Sequence, residues 1–260
     1  MYDDRDFDFE ADSLQTTPFL EFLPELLEDL WELGGYPEVI VELLPPLNLP
    51  SKITHVLDLA CGKGAVGITL AEFFGFNVLG IDAFAPFLDV ARQRAKDHGV
   101  TEFCQFQQHD LRNYIKKPKS FDLVIYASVG PVLGNLADSL WHLRRTTHAG
   151  GYILIDDAFL TKGAHLHLDG FTHYMSHHSS IEALKKWGDK IIAERHINKS
   201  RTVMRNQKYI QALEKGSERI IANRPELKKQ IDEYIENQIE ECRIVETHLT
   251  ECIWLIQKKD

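Results

Sequence analysis

The sequence predicts an α/β fold built on a parallel sheet with crossover helices, and three observations carry that expectation. Between residues 54 and 155, short β-branched or apolar runs alternate with amphipathic segments, the order of strand–helix–strand units. Each run is apolar almost throughout, as when helices cover both faces of a sheet. The first run leads into a glycine-rich turn, VLDLACGKGAVG (Val56–Gly67). Such a turn lets backbone N–H groups approach a ligand where a helix dipole is positive.

The elements follow in order. The first dozen residues are acidic and are expected to be mobile or to close over a ligand. Thr17-Pro18 reads as a helix start, a cap residue followed by proline at the first helical position. Phe19, Phe22, Leu23, Leu26, Leu27, Leu30 and Trp31 then recur at helical spacing until Gly34-Gly35. A second helical stretch runs from Pro37 to Leu44, where Pro45-Pro46 breaks it. Strands are expected at 54–59, 77–81, 103–107, 121–126 and 151–155, with helices over 63–74, 84–98 and 134–147. Turn signals such as His98-Gly99 and Gly150-Gly151 follow the helices. Past Asp157 a loop rich in Gly and His runs to about His178, and Ile181–Trp187 reads as a short helix. Lys190–Ile197 alternates like a strand. Some fifty residues of helical character follow, divided at Asn223-Arg224-Pro225, before a last strand, CIWLIQ (Cys252–Gln257).

Bulk properties bound the function. Lys and Arg number 29 against 39 Asp and Glu, a net charge of −10. That sign repels phosphate backbones and favours a small-molecule partner over nucleic acid. No apolar run approaches the ~18 residues of a spanning helix, and the acidic N-terminus lacks the order of a secretory signal. Cys61, Cys104, Cys242 and Cys252 form no CxxC pair, which argues against both a disulfide framework and a zinc site built on cysteine. A reduced, cytoplasmic protein is expected.

GKGAVG is a literal GxGxxG, the string usually read as a dinucleotide-binding turn. Asp58, two residues before Ala60, speaks against that reading: a carboxylate there faces a pyrophosphate unfavourably but suits a cationic amine. Asp82 closes the second strand, twenty residues after Gly62, where a carboxylate can accept both hydroxyls of a ribose. Asp110, after the third strand, can accept an adenine amino group, with Leu111 supplying a backbone donor and an apolar wall.

Together, Asp58-x-Ala-Cys-Gly-x-Gly, Asp82, Asp110-Leu111 and FDLVIYASVG on the fourth strand resemble the class I S-adenosylmethionine-dependent methyltransferases. The family pattern is D/E-x-G-x-G-x-G, so Ala60 stands in place of its first glycine. The resemblance implies a Rossmann-like, doubly wound, seven-stranded, mostly parallel sheet whose last strand, here CIWLIQ, is antiparallel. It divides the chain into an acidic segment and lid helices (1–50), a cofactor-binding core (51–197), a helical cap insert (198–246) and the last core strand (247–260). It also gives residues roles toward S-adenosylmethionine. Asp58 would lie near the methionine ammonium, and Ala60, Gly62 and Gly64 would bring the backbone to the cofactor. Asp82 would clamp the ribose, with Ala83 and Phe84 along the adenosine, and Asp110 with Leu111 would hold the adenine. Ala127 would meet the methionine end. Tyr36 closes over the carboxylate end or simply packs one helix on another.

Methyl transfer from a sulfonium is an in-line displacement on an activated donor, so positioning can carry it without a conspicuous acid or base. The fourth strand lacks the N/D-P-P-Y/F of amino-group methylases acting on nucleic-acid bases. Asp156-Asp157, after the fifth strand, resemble the segment of magnesium-dependent catechol-type O-methyltransferases. Tyr126-Ala127-Ser128 lacks the aspartate those enzymes supply, and no metal is assigned. Asp156, Asp157 and His165 are the candidate catalytic residues, with a helix N-cap as the rival role for the aspartates. His165, His167, His173, His177 and His178 crowd into fourteen positions. Metal binding, acid–base work and plain surface placement all remain open for them. The insert before CIWLIQ, with the N-terminal helices, would roof an acceptor pocket as in small-molecule methyltransferases. Lys199, Arg201, Arg205 and Lys208 on it form either a solvated face or an attraction for an anionic acceptor. The expected function is methyl transfer to a small molecule by a monomer or homodimer. Methylation of RNA or a protein side chain, and non-catalytic cofactor binding, are the alternatives.

Overall fold

The structure is a computed structural model that describes residues 20–164, 166 and 170–259. The acidic segment with Thr17-Pro18, and His165 and His167, lie outside the described residues. The strands are β1 (His55–Leu59), β2 (Asn77–Asp82), β3 (Cys104–Gln108), β4 (Phe121–Ala127), β5 (Thr147–Leu160), β6 (Lys190–His196) and β7 (Leu249–Gln257). Among the described residues they form one sheet in the order β3-β2-β1-β4-β5-β7-β6. β1 to β5 pair in parallel, and β7 runs antiparallel between β5 and β6. The mostly parallel sheet with an antiparallel last strand is therefore as the sequence predicts.

Alternation along each strand sends neighbouring side chains to opposite faces. On β1, Val56 joins a core with Ile68 and Leu70 of α3 (Ala65–Phe74) and Leu88 of α4 (Ala85–Asp97). Val39 and Ile40 of α2 (Pro37–Leu43) close the same face. Leu57 and Leu59 join the opposite core with Leu136 and Leu140 of α6 (Leu136–Arg144) and Leu184 of α7 (His177–Lys185). A short helix, α5 (Leu111–Tyr114), also packs there.

A third cluster lies off the sheet. Leu23 and Leu26 of the short α1 (Leu23–Leu26) pack on Leu213 and Ile220 of α8 (Lys199–Asn223). Ile231 and Ile235 of α9 (Lys228–His248) and Phe87 complete it. Asn198 caps α8, accepting from the Arg201 N–H at 3.0 Å. Truncating a fully buried side chain such as Leu26 costs about 2–5 kcal/mol, so this cluster holds the N-terminal segment over the strand ends.

Three expectations are corrected. The helix expected over Phe19–Trp31 is, among the described residues, a 3₁₀ turn, Leu20–Phe22, followed by α1 alone, and beyond it the carbonyls of Leu27 and Leu30 accept from Lys63. The fifth strand begins earlier than expected, at Thr147, but its register with β4 jumps from Phe121↔Thr147 to Leu123↔Tyr152, so Gly150 (φ +76°) and Gly151 sit in an irregularity just before the regular pairing. The helix expected at Ile181–Trp187 begins earlier, at His177, where Ser176 caps it, accepting from the Ser179 N–H at 3.2 Å.

Candidate active site

In an open parallel sheet, ligands bind beyond the carboxyl ends of the strands where the chain reverses its winding. Here that point lies between β1 and β4, and a cavity of about 540 Å³ opens there. It is lined by the ends of β1, β2, β4 and β5, by the start of α5, and by residues of α1, α8 and α9.

The part next to the glycine-rich turn holds the predicted carboxylates. Asp58 is 3% exposed and accepts from the Gly67 N–H at 3.2 Å. Burial, with a smaller contribution from the charge of Asp82, pushes its carboxyl up to about 7. Asp82 accepts from the N–H groups of Gly62 and Phe84, both at 2.8 Å. These two donors fix the carboxylate while its remaining lone pairs can meet a diol. Ala60, Gly62, Ala83, Leu111 and Ala127 line the same region.

Other predicted residues stand differently. Asp110 lines the cavity and caps α5, but Arg112 grips its carboxylate, with an Nη2–Oδ2 distance of 2.7 Å. The Arg112 hydrogen bond holds that carboxyl below the usual range, which reduces its capacity toward an adenine. Gly64 is not among the lining residues. It begins α3 with φ +78°, and a β-carbon there would meet Ala91, Ile68 and Phe106 at 3.0–3.1 Å, so close packing explains it. Tyr36 also leaves the lining. It is 4% exposed, and its hydroxyl donates to Glu251 Oε2 at 2.6 Å.

The far part of the cavity contains Asp156 and Asp157. Ser128 Oγ lies 3.3 Å from Asp156 Oδ2, and Asp157 accepts from the Ala158 N–H at 2.8 Å. Burial, then the charge of Glu251, holds the Asp156 carboxyl well above the ordinary range, and burial pushes that of Asp157 up to about 6. Neither aspartate caps a helix. His165 lies outside the described residues. Arg205 lines this region too, but Glu251 binds its guanidinium, which also donates to the Gly34 carbonyl at 3.2 Å. Thr202 and Tyr36 complete the hydrogen bonds to Glu251. Tyr174, Tyr209, Tyr234, Gln238 and Glu241 form the remaining polar wall.

Sequence reasoning missed Glu251, Lys63 and this wall. An acidic residue inside the apolar run LTECIWLIQ was a usable signal for Glu251. Lys63, between two glycines, offered none. The tyrosines of α8 and α9 read equally well as helix core.

A strand-end cavity above a glycine turn, with an aspartate closing each of the first two strands, defines an α/β nucleotide-type cofactor site. Residues 50–240 match a family described as a methyltransferase domain, and the chain belongs to that family. The fold is similar to that of an S-adenosylmethionine-dependent methyltransferase from Geobacter sulfurreducens solved with S-adenosylhomocysteine. That comparison has a TM-score of 0.78 and 19% identity, covering 92% of this chain and 98% of that one. A counterpart from Thiobacillus denitrificans, also with S-adenosylhomocysteine, gives a TM-score of 0.76 at 19% identity, over 91% of this chain and 97% of that one. In sequence, the demethylmenaquinone methyltransferase of Lactiplantibacillus plantarum is 30% identical over 114 residues, 43% of this chain and 46% of that protein. The chain spans less than half the length of such curated relatives.

Proposed function

We propose that the protein transfers a methyl group from S-adenosylmethionine to a small-molecule acceptor. One observation carries this reading: a single cavity joins Asp58, Asp82 and Asp110 at one end to a roofed, polar chamber at the other. Asp82 would bind the ribose hydroxyls, and Asp58 the ammonium of the methionine part. Leu111 and Asp110 would border the adenine, and Ala60, Gly62, Ala83 and Ala127 would supply close backbone and small side-chain contacts. The residues present fit this cofactor, because Asp58 is a buried carboxyl that accepts from the Gly67 N–H and meets no cation among the described residues.

The cofactor would supply a methyl on a sulfonium that leaves with its bonding electron pair, and an acceptor carrying a proton on the attacking atom would have to shed it. Asp157, its carboxyl pushed up to about 6 by burial, is the candidate base, with Asp156 beside it as a second polar contact for the acceptor. His165 remains a third candidate. Residues 1–50 and 198–246 would act as roof, excluding water as positioning requires.

The sequence left an anionic acceptor open on account of Lys199, Arg201, Arg205 and Lys208, of which Arg205 alone lines the cavity. Glu251 already neutralises that guanidinium, whereas Asp156, Asp157 and Glu241 face the chamber beside Tyr174, Tyr209 and Tyr234. Carboxyls and aromatic faces together suit a positively charged ligand, so the proposed acceptor class is an amine. The net charge of −10 supports a metabolite over nucleic acid. Four unpaired cysteines fit a cytoplasmic setting, and among the described residues no helix is long and apolar enough to cross a membrane. The cavity is built from one chain, as either a monomer or a homodimer allows.

The experiment is incubation with S-adenosylmethionine carrying a labelled methyl group and a pool of small amines, phenols and carboxylic acids. Label in an amine product, absent with Asp82→Ala, is expected. Label only in phenols or acids would overturn the amine assignment and leave the transfer reaction standing.

A further inference from the structure

Away from the cavity, the edge strand β6 and the start of α7 bring three side chains together. Glu194 and His196 lie two residues apart on β6 and so share a face, and His177 is the first residue of α7. His177 Nε2 stands 2.6 Å from Glu194 Oε1, and His196 Nε2 contacts the same oxygen. The three potential donor atoms lie within 4.8 Å of one another. Phe159 of β5 packs on both imidazoles, with ring centroids 4.7 Å from His177 and 5.2 Å from His196. Both rings rest on this aromatic floor and are about half exposed, open to a cation from solvent.

We infer that His177, Glu194 and His196 form a binding site for a borderline divalent transition-metal cation such as Zn²⁺. Two imidazole nitrogens and one carboxylate oxygen are a donor set that zinc takes, with the fourth position left to water. At bond lengths of about 2.0–2.1 Å the donor atoms of a tetrahedral site stand roughly 3.3 Å apart. Reaching that spacing means opening the His177–Glu194 contact by about 0.7 Å and bringing the two imidazole nitrogens together by up to about 1.5 Å. The single negative charge of Glu194 offsets part of the cation's charge. Other histidine–carboxylate contacts, His98–Glu72 and His148–Asp122 (both 3.0 Å), are one to one and offer no third ligand. The histidine run in the sequence supplies one ligand, His177. The other two come from a strand that the run does not contain. A cation here would staple the start of α7 to the edge strand.

The test treats the full chain with EDTA, removes the chelator, and titrates Zn²⁺ against a chromophoric indicator. One equivalent should bind, and His177→Ala, Glu194→Gln and His196→Ala should each weaken it at least tenfold with circular dichroism unchanged. His98→Ala and His148→Ala should leave it intact. In the unaltered protein, Zn²⁺ should also shield His177 and His196, but not His98, from chemical acylation read by mass spectrometry. This second readout holds even if a variant fails to fold. Failure of the wild type to bind Zn²⁺ at micromolar concentration, or equal binding by the three variants, would overturn the inference. Neither result bears on methyl transfer.

Discussion

Lys63 Nζ donates to the carbonyl oxygen of Leu30 at 2.8 Å and so fastens the N-terminal segment to the glycine-rich turn. The same ammonium also meets the Leu27 carbonyl, and the Trp31 indole returns a hydrogen bond to the Lys63 carbonyl at 2.9 Å. Lys63 is 3% exposed, and burial brings its ammonium down to about 8. Hydrogen bonds to charged groups are worth about 1.5–3 kcal/mol. Lys63→Met should therefore release the segment before Gly34, seen as faster proteolysis there, and should weaken cofactor binding by about tenfold or more. Unchanged proteolysis would mean that the hydrophobic cluster alone holds the lid.

That cluster depends on a close approach of two helices. A β-carbon at Gly216 of α8 would stand 2.5 Å from the Cα of Leu26 in α1, and the obstacle is backbone. Gly216→Ala should cost about 1–3 kcal/mol through overpacking, measured by urea denaturation. Free tolerance of alanine would show that α1 moves away at little cost.

Ala60 adopts φ +55° in the position where the family pattern has glycine. The left-handed region costs an alanine about 1–2 kcal/mol, whereas glycine enters it freely. Glycine also brings extra unfolded-state entropy, about 0.5–1 kcal/mol. The substitution Ala60→Gly should thus leave stability unchanged or raise it by up to about 1 kcal/mol, read from thermal melts. A clear loss would point to a packing role for the Ala60 methyl.

Asp58 sets a pH dependence. Burial pushes its folded carboxyl up to about 7, against about 3.9 for an unperturbed aspartate. Between these values the unfolded chain has lost the proton that the folded state retains, so stability falls as pH rises through that window. The slope contributed by this one group is at most about 1.4 kcal/mol per pH unit. Asp58→Asn should remove the decline between about pH 4 and 7, followed by denaturation at several pH values. A bound ammonium favours the carboxylate, so cofactor affinity in the wild type should increase over the same range. Parallel pH profiles for the two proteins would contradict the assignment.

Much of the scaffold was legible because its signals are local. Apolar runs such as HVLDL and FDLVIYA, each leading to a turn or helix, identify strands whatever they pair with. Asp58 and Asp82 were legible because a carboxylate closing an apolar strand is costly without a ligand. What escaped depends on contacts between distant parts of the chain. The helix expected at Phe19–Trp31 stops at Leu26, and the carbonyls just past it meet Lys63, more than thirty residues away in sequence. Tyr36 and Arg205 meet at Glu251, which lies in the final strand. Asp110 could not be seen to pair with Arg112, since residues two apart in sequence face each other only when the cap geometry of α5 brings them together.

The most direct measurement is calorimetric titration of the wild type and Asp82→Ala with S-adenosylmethionine, S-adenosylhomocysteine and NAD. The account predicts one site of micromolar affinity for the first two ligands, none for NAD, and a loss of tenfold or more in the variant. Binding of NAD alone, or equal affinity in wild type and variant, would contradict it.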